Sequence, residues 1–182
     1  VPCGITICED VWHPEGPLML EAQKGAEVVF VINASPYYTG KAGKREEILK
    51  SQARANRVHI SYVNLVGGQD ELVFDGQSLI VDSKGNIAAK APAFKEDLLL
   101  FDIEVKAKGP KPKTIPIPDR KEAPIDPMDE IYQALLLGLR DYAHKNGFNK
   151  AVIGLSGGID SALTAVIASD ALGRENVIGV FM

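Results

Sequence analysis

Three observations predict an α/β chain in two parts: apolar strand-length runs alternating with helix-length segments, a proline-rich break at residues 106–127, and a strand–glycine–helix junction at 150–161. The runs GITIC (4–8), EVVFVIN (27–33) and HISYVNLV (59–66) are rich in β-branched residues, and strand alternating with helix builds parallel sheets. With 46% apolar residues in a chain of 182, there is enough to pack a core. The net charge is −4 and the lysines are scattered outside the proline-rich break, so no basic face for nucleic acid is expected. The apolar runs are too short to span a bilayer, and residues 1–8 lack the charged start of a signal peptide. Two cysteines five positions apart, with no metal-ligand partners nearby, read as thiols of a reducing compartment, so a cytoplasmic setting is expected. The chain opens inside an apolar run without Met and stops on the strand-like NVIGVFM, which reads as a fragment of a longer protein.

Residues 4–8 form the first predicted strand, with Cys8 at its carboxyl end just before Glu9 and Asp10. Residues 17–24 carry Leu18, Met19 and Ala22 and stop at Gly25, the pattern of a short helix. The unbroken apolar run at 27–33 predicts a strand buried on both faces. Residues 33–43 (NASPYYTGKAG) read as a loop, followed by a helix over 44–58 with Ile48, Leu49, Gln52, Ala53 and Asn56 on one face. A third strand is predicted at 59–66. Asp70, Glu71 and Asp75 are expected in a solvated, turn-rich loop, and 76–82 and 87–91 form a hairpin around Ser83, Lys84, Gly85 and Asn86. A strand at 98–105 closes the first part. Residues 106–127 hold six of the eleven prolines, interleaved with Lys108, Lys111 and Lys113, and read as an extended, semi-stiff linker. Pro127 suits the first turn of a helix capped by Asp126, with Met128, Ile131, Leu135, Leu139 and Tyr142 on its apolar stripe and Gly147 ending it. The expected units are therefore 1–105, the linker 106–127, and 128–182.

Two stretches can carry chemistry. Parallel strands send their carboxyl ends, and the loop 33–43, to one edge of the sheet, where ligands bind in open α/β folds. Cys8 sits there as a nucleophile or as an inert strand thiol, and Cys3 reads as inert. In KAVIGLSGGIDS (150–161), a strand passes through glycines into a helix opening near Ser161, so free N–H groups and the positive end of the helix dipole converge on an anion site. No lysine follows Gly158, which excludes a Walker A loop. Asp160 beside a polyphosphate is repulsive unless a cation intervenes, so it argues for a divalent metal, magnesium; the alternative is that Asp160 and Ser161 cap the helix. Trp12 and His13 are read as non-catalytic, and His59 and His144 as structural.

The hexapeptide Ser156-Gly157-Gly158-Ile159-Asp160-Ser161 resembles the PP-loop of the ATP pyrophosphatases, which implies that those six residues bind ATP and that Asp160 binds magnesium. GITICEDVW (4–12), NASPYYTGK (33–41), Arg54-Ala55-Asn56 and Asp75-Gly76-Gln77-Ser78 resemble the second half of a nitrilase-type amidase. That resemblance implies a partial αββα sandwich, followed by the start of a Rossmann-like PP-loop domain. It implies Cys8 as the nucleophile of a Glu-Lys-Cys triad whose other two members precede residue 1, and the Glu9 backbone N–H at the oxyanion. It also implies Ser35 and Lys41 at the amino-acid end of glutamine, with Lys41 where relatives place Arg, a less bidentate grip. Together the two parts resemble the glutamine-dependent NAD synthetases. This implies hydrolysis of glutamine through a Cys thioester and ATP-driven amidation of deamido-NAD, with glutamine and deamido-NAD as substrates, ATP and magnesium as cofactors, and a homo-oligomer. The competing readings are an amidase with an appended nucleotide-binding domain, and a fragment inactive when isolated.

Overall fold

A computed structural model of the chain describes residues 1–104 and 120–182. Val105 and residues 106–119 of the expected linker, with Lys108, Lys111 and Lys113, lie outside the described residues. Strands β1 (Cys3–Ile7), β2 (Val28–Asn33) and β3 (His59–Asn64) run parallel, because α1 (Pro17–Gln23) and α2 (Lys41–Asn56) carry the chain back between them. Two further strands, β6 (Leu79–Val81) and β7 (Ile87–Lys90), extend the sheet antiparallel, in the order β1-β2-β3-β6-β7. The hairpin between them closes as its turn residues require: the Asp82 carboxylate accepts from the Lys84 and Asn86 amides at 2.9 and 2.8 Å.

The core fills one face of this sheet. Val29, Val31, Ile60, Tyr62, Leu79 and Val81 meet Leu18 of α1 and Leu49 and Ala53 of α2, all nearly inaccessible. Burying each of the larger aliphatic side chains contributes about 1.5–3 kcal/mol. The opposite face is apolar but open: Ile5 and Ile7 of β1 are 65% and 64% exposed, and Ile32 of β2 is 57% exposed. The unbroken run of β2 is thus buried on one side only among the described residues. Of the expected αββα layers, the described residues form one helical layer and one sheet.

Several boundaries differ from expectation. α2 starts at Lys41, three residues early, because Gly40 takes a left-handed φ of 82° that turns the loop directly into the helix. The predicted strand 59–66 is broken at Leu65, beyond which β4 (Val66–Gln69) leaves the main sheet to pair antiparallel with β5 (Leu72–Asp75). The start of the predicted hairpin strand at Gly76 is instead an isolated bridge to Ala93, and left-handed Gly76 and Gln77 separate it from β6. Residues 98–104 form no strand; the free edge of β7 is taken by residues 120–122, where Lys90 N–H donates to the Arg120 carbonyl and Glu122 N–H to that of Lys90.

Helix α3 (Pro127–Lys145) is capped as expected, with the Asp126 carboxylate accepting from the Met128 amide at 2.9 Å. Its buried face, however, is not the long apolar stripe. Ala134 and Leu137 are buried while Met128, Leu135 and Tyr142 are 73%, 48% and 48% exposed. The reason is close approach to the β4–β5 hairpin, where only small residues fit: a Cβ on Gly68 would lie 3.1 Å from the Gly138 Cα. Polar contacts pin the same seam, with the Gly68 amide donating to Asp141 Oδ2 at 2.8 Å and Lys145 donating to the Gly68 carbonyl. The other neighbour of α3 is α4 (Ile159–Leu172), which joins β8 (Ala151–Leu155) to the parallel strand β9 (Val177–Phe181). The Tyr132 hydroxyl of α3 donates to Asp170 of α4 at 2.6 Å. Among the described residues no helix is long and apolar enough to cross a membrane.

Candidate functional site

Parallel pairing fixes which side chains share the carboxyl edge of the sheet. Ile7 lies opposite Ile32, and Asn33 opposite Asn64, so the residues that follow β1, β2 and β3 emerge side by side. Cys8 is the first residue past β1 and opens a turn of 3-10 helix (Cys8–Trp12) rather than ending the strand. Its φ of 48° is left-handed, a conformation that costs a non-glycine residue about 1–3 kcal/mol and that clusters at functional positions. The turn is closed by Asp10, whose Oδ2 accepts from the Ile7 amide at 2.9 Å. Cys8 is half-buried and Glu9 exposed, so both residues reach the surface of the edge.

Ser35 and Lys41 belong to the same edge. Ser35 is buried, and its amide donates to the Asn64 side chain at 3.0 Å. Lys41, the first residue of α2, donates to the Pro36 carbonyl at 2.6 Å and lies over the rings of Tyr38 and Trp12, 5.1 and 5.9 Å from their centroids. Burial, then repulsion from Arg45, holds the Lys41 ammonium below the ordinary lysine range, against the opposing pull of Asp75, Cys8 and Glu9. Trp12, set aside in the sequence, therefore neighbours the site by contact with Lys41. His13 is exposed and contributes only its carbonyl, which accepts from Gln52.

Behind these residues lies a buried charged network that the sequence reading missed. Asp75, expected in a solvated loop, ends β5 with no exposed surface. Arg45, 1% exposed, donates to both Asp75 oxygens at 2.9 Å and to the Gly76 carbonyl at 2.9 Å, and its guanidinium sits 5.6 Å from the Tyr62 ring centroid. Gln77 and Asn64 complete the carboxylate's partners at 2.8 and 3.3 Å. Burial, with smaller contributions that include Cys8 and Asp75, raises the Tyr62 phenol, and burial followed by Asp75 raises the Glu130 carboxyl on α3. A signal for Arg45 was present: it lies four residues before Leu49 on the very stripe of α2 that faces the core.

The second group is the junction between β8 and α4. Gly157 has a φ of 78° with nothing within 4 Å of where a Cβ would stand, leaving open space beside the backbone. Ser161 donates to the Gly158 carbonyl at 3.0 Å and lies 3.3 Å from the Ser156 hydroxyl, which folds the loop over the first turn. The helix begins at Ile159, not near Ser161, and its N-cap is Gly158 with no side-chain cap. Asp160 is therefore in the first helical turn and exposed, and the reading of Asp160 and Ser161 as caps does not hold. Among the described residues, no cluster of three or more His, Cys, Asp or Glu gathers to hold a metal. Asp160 alone supplies one carboxylate, which fits magnesium's habit of binding through one or two carboxylates plus substrate phosphates. No hydrogen bond or ion pair among the described residues joins this loop to the Cys8 edge.

Comparison with known proteins divides the chain in the same way. The carbon-nitrogen hydrolase family model matches residues 2–110, and the NAD synthase model matches residues 131–182. The glutamine-dependent NAD(+) synthetase of Aquifex aeolicus is 44% identical over 98% of this chain and 36% of its own length, and that of Thermotoga maritima 39% identical over 100% and 36%. Among solved structures, the glutamine-dependent NAD+ synthetase of Acinetobacter baumannii, in complex with ADP, superposes with a TM-score of 0.84 at 40% identity, over 99% of this chain and 33% of that one. A second, the glutamine-dependent NAD(+) synthetase of Cytophaga hutchinsonii, gives 0.70 at 26% identity, over 96% and 27%. The chain thus spans about a third of the length of the curated relatives it matches.

Proposed function

The chain belongs to the carbon-nitrogen hydrolase family, and from that premise we propose that it serves the glutamine-hydrolysing, ATP-dependent amidation of deamido-NAD to NAD. The observation that carries this reading is the pairing, in one chain, of a left-handed Cys8 on a parallel strand edge with a glycine loop at the mouth of α4.

In the first half, the Cys8 thiol gives its proton to the general base that the implied triad supplies and attacks the side-chain amide carbon of glutamine, the oxyanion is held in part by the Glu9 N–H, and the same group returns the proton to the leaving nitrogen as the tetrahedral adduct expels ammonia to leave a thioester. Water then hydrolyses the thioester to glutamate and frees the thiol. Ser35 and Lys41 grip the amino and carboxylate end of glutamine. In the second half, Ser156, Gly157, Gly158, Ile159, Asp160 and Ser161 hold the β- and γ-phosphates of ATP through backbone N–H groups and the helix N-terminus. Asp160 would hold magnesium against those phosphates, which supplies neutralisation of their charge. The nicotinate carboxylate is adenylated with release of pyrophosphate, and ammonia displaces AMP to give NAD. The units 1–105 and 128–182 carry the two half-reactions, in a homo-oligomeric, cytoplasmic enzyme.

The alternative, an amidase with an appended nucleotide-binding domain, makes no acyl adenylate. In the full-length protein, ATP–pyrophosphate exchange that requires deamido-NAD is expected, and Asp160→Asn should reduce it at least about a hundredfold (~2.7 kcal/mol in barrier) while glutamine hydrolysis stays measurable. Because Asp160 is not the N-cap, this variant removes charge without removing a cap. Exchange unaffected by Asp160→Asn would refute the phosphate and metal assignment.

A further inference from the structure

Resting on the glutaminase reading of the Cys8 edge, we propose that Asn64 is a positioning residue for the glutamine-binding loop, with Asp75 and Arg45 as its buried support. The loop in question runs from Ser35 to Lys41, and both of its ends are tied to the same two residues, Asp75 and Gly76. At the Ser35 end, the backbone N–H donates to Asn64 Oδ1 at 3.0 Å, and Asn64 Nδ2 donates in turn to the Gly76 carbonyl at 3.0 Å and to Asp75 Oδ1 at 3.3 Å. At the Lys41 end, Arg45 follows one turn along α2 and reaches the Gly76 carbonyl and both Asp75 oxygens at 2.9 Å. The loop is also pinned across itself, since Lys41 donates to the Pro36 carbonyl.

Asparagine is the residue type this geometry demands. Its oxygen must face an N–H and its nitrogen must face a carbonyl and a carboxylate, so the amide has one orientation that satisfies every partner. An aspartate would set a carboxylate against Asp75, and an apolar residue would orphan a buried amide on one side and a buried carboxylate contact on the other. Asn64, Asp75 and Arg45 are 6%, 0% and 1% exposed, so water does not substitute for a lost partner. Asn64 is held in addition by its own amide, which donates to Ser78 Oγ at 3.0 Å. None of the three carries the chemistry; they fix where Ser35 and Lys41 stand relative to Cys8.

The test measures glutamine binding by calorimetry in the full-length protein carrying Cys8→Ala, which removes turnover, and glutamine kinetics in the Cys8-intact protein. Asn64→Ala should weaken glutamine binding at least about tenfold, and raise KM by a similar factor with kcat within about threefold, while ammonia-dependent NAD formation is unchanged. Asp75→Asn, which keeps the shape and loses the charge, should weaken binding by a smaller factor of about three and serves as the deciding variant if Asn64→Ala does not fold. Unchanged affinity in the folded variant, or a fall in kcat that tracks the folded fraction at constant KM, overturns the proposal. A Cys8→Ala protein that binds no glutamine overturns the glutaminase reading and this proposal with it; one that binds, with variants that bind equally, overturns this proposal alone.

Discussion

Lys41 sits at the point where burial and specificity meet. In the proposed glutamine site its ammonium would meet the ligand's carboxylate, yet burial and the neighbouring Arg45 both disfavour the charged form, so its charge is lost at lower pH than for an exposed lysine. Only the protonated form binds a carboxylate, and a depressed lysine loses its proton as pH rises through its lowered value. The KM for glutamine should therefore climb on the alkaline side before an ordinary lysine would titrate. Lys41→Arg, which stays charged throughout, should flatten that climb relative to the parent measured with the same substrate between pH 7 and 10. An identical alkaline limb in both proteins would remove Lys41 from the carboxylate contact. The residues behind Lys41 also mark the limit of what a sequence discloses. The edge that gathers Cys8, Ser35 and Lys41 was legible, although Cys8 lies one residue past its strand and Lys41 already opens α2; Asp75 was read as solvated because four-residue strands around a tight turn look like loop. Its burial depends on Arg45, which lies thirty residues earlier in the chain, and no local pattern reports such a pairing.

At the scale of elements, the link between β5 and β6 joins the buried network at Gly76 and tolerates a side chain there poorly. Gly76 has a φ of 65°, and a Cβ there would fall 2.5 Å from Cγ2 of Val66, far inside contact. Gly76→Ala should therefore destabilise the protein by about 1–3 kcal/mol from backbone strain alone, with more from the clash, and lower Tm by several degrees. Glutamine-dependent activity should fall with it, because the Gly76 carbonyl accepts from both Arg45 and Asn64. A variant with an unchanged melting transition would show that the link can relax freely. The parallel strands, their helices and the β6–β7 hairpin were readable because each carries its own periodicity and punctuation. Residues 98–104 of the expected strand 98–105 form none, and the β7 edge is taken by residues 120–122 instead, a pairing that no local pattern in either segment announces. The buried face of α3 was misjudged for a related reason. Apolar periodicity names the stripe that could be buried, whereas the Gly68–Gly138 approach selects the one that is.

At the scale of the whole molecule, α3 bridges the two regions to which the proposed half-reactions are assigned. One side packs on the β4–β5 hairpin, whose last residue is Asp75, and the other on α4, whose first turn carries Asp160. In the proposed function these regions perform separable half-reactions, with a thiol nucleophile confined to the first. The most direct measurement is NAD formation by the full-length Cys8→Ala protein, supplied in parallel with glutamine and with ammonium salt. A thioester needs the thiol, whereas ammonia delivered from solution bypasses it. Glutamine-dependent formation should be abolished while ammonia-dependent formation proceeds at close to the parent rate. Loss of both activities in a folded Cys8→Ala protein, or normal glutamine-dependent synthesis without the thiol, would contradict it.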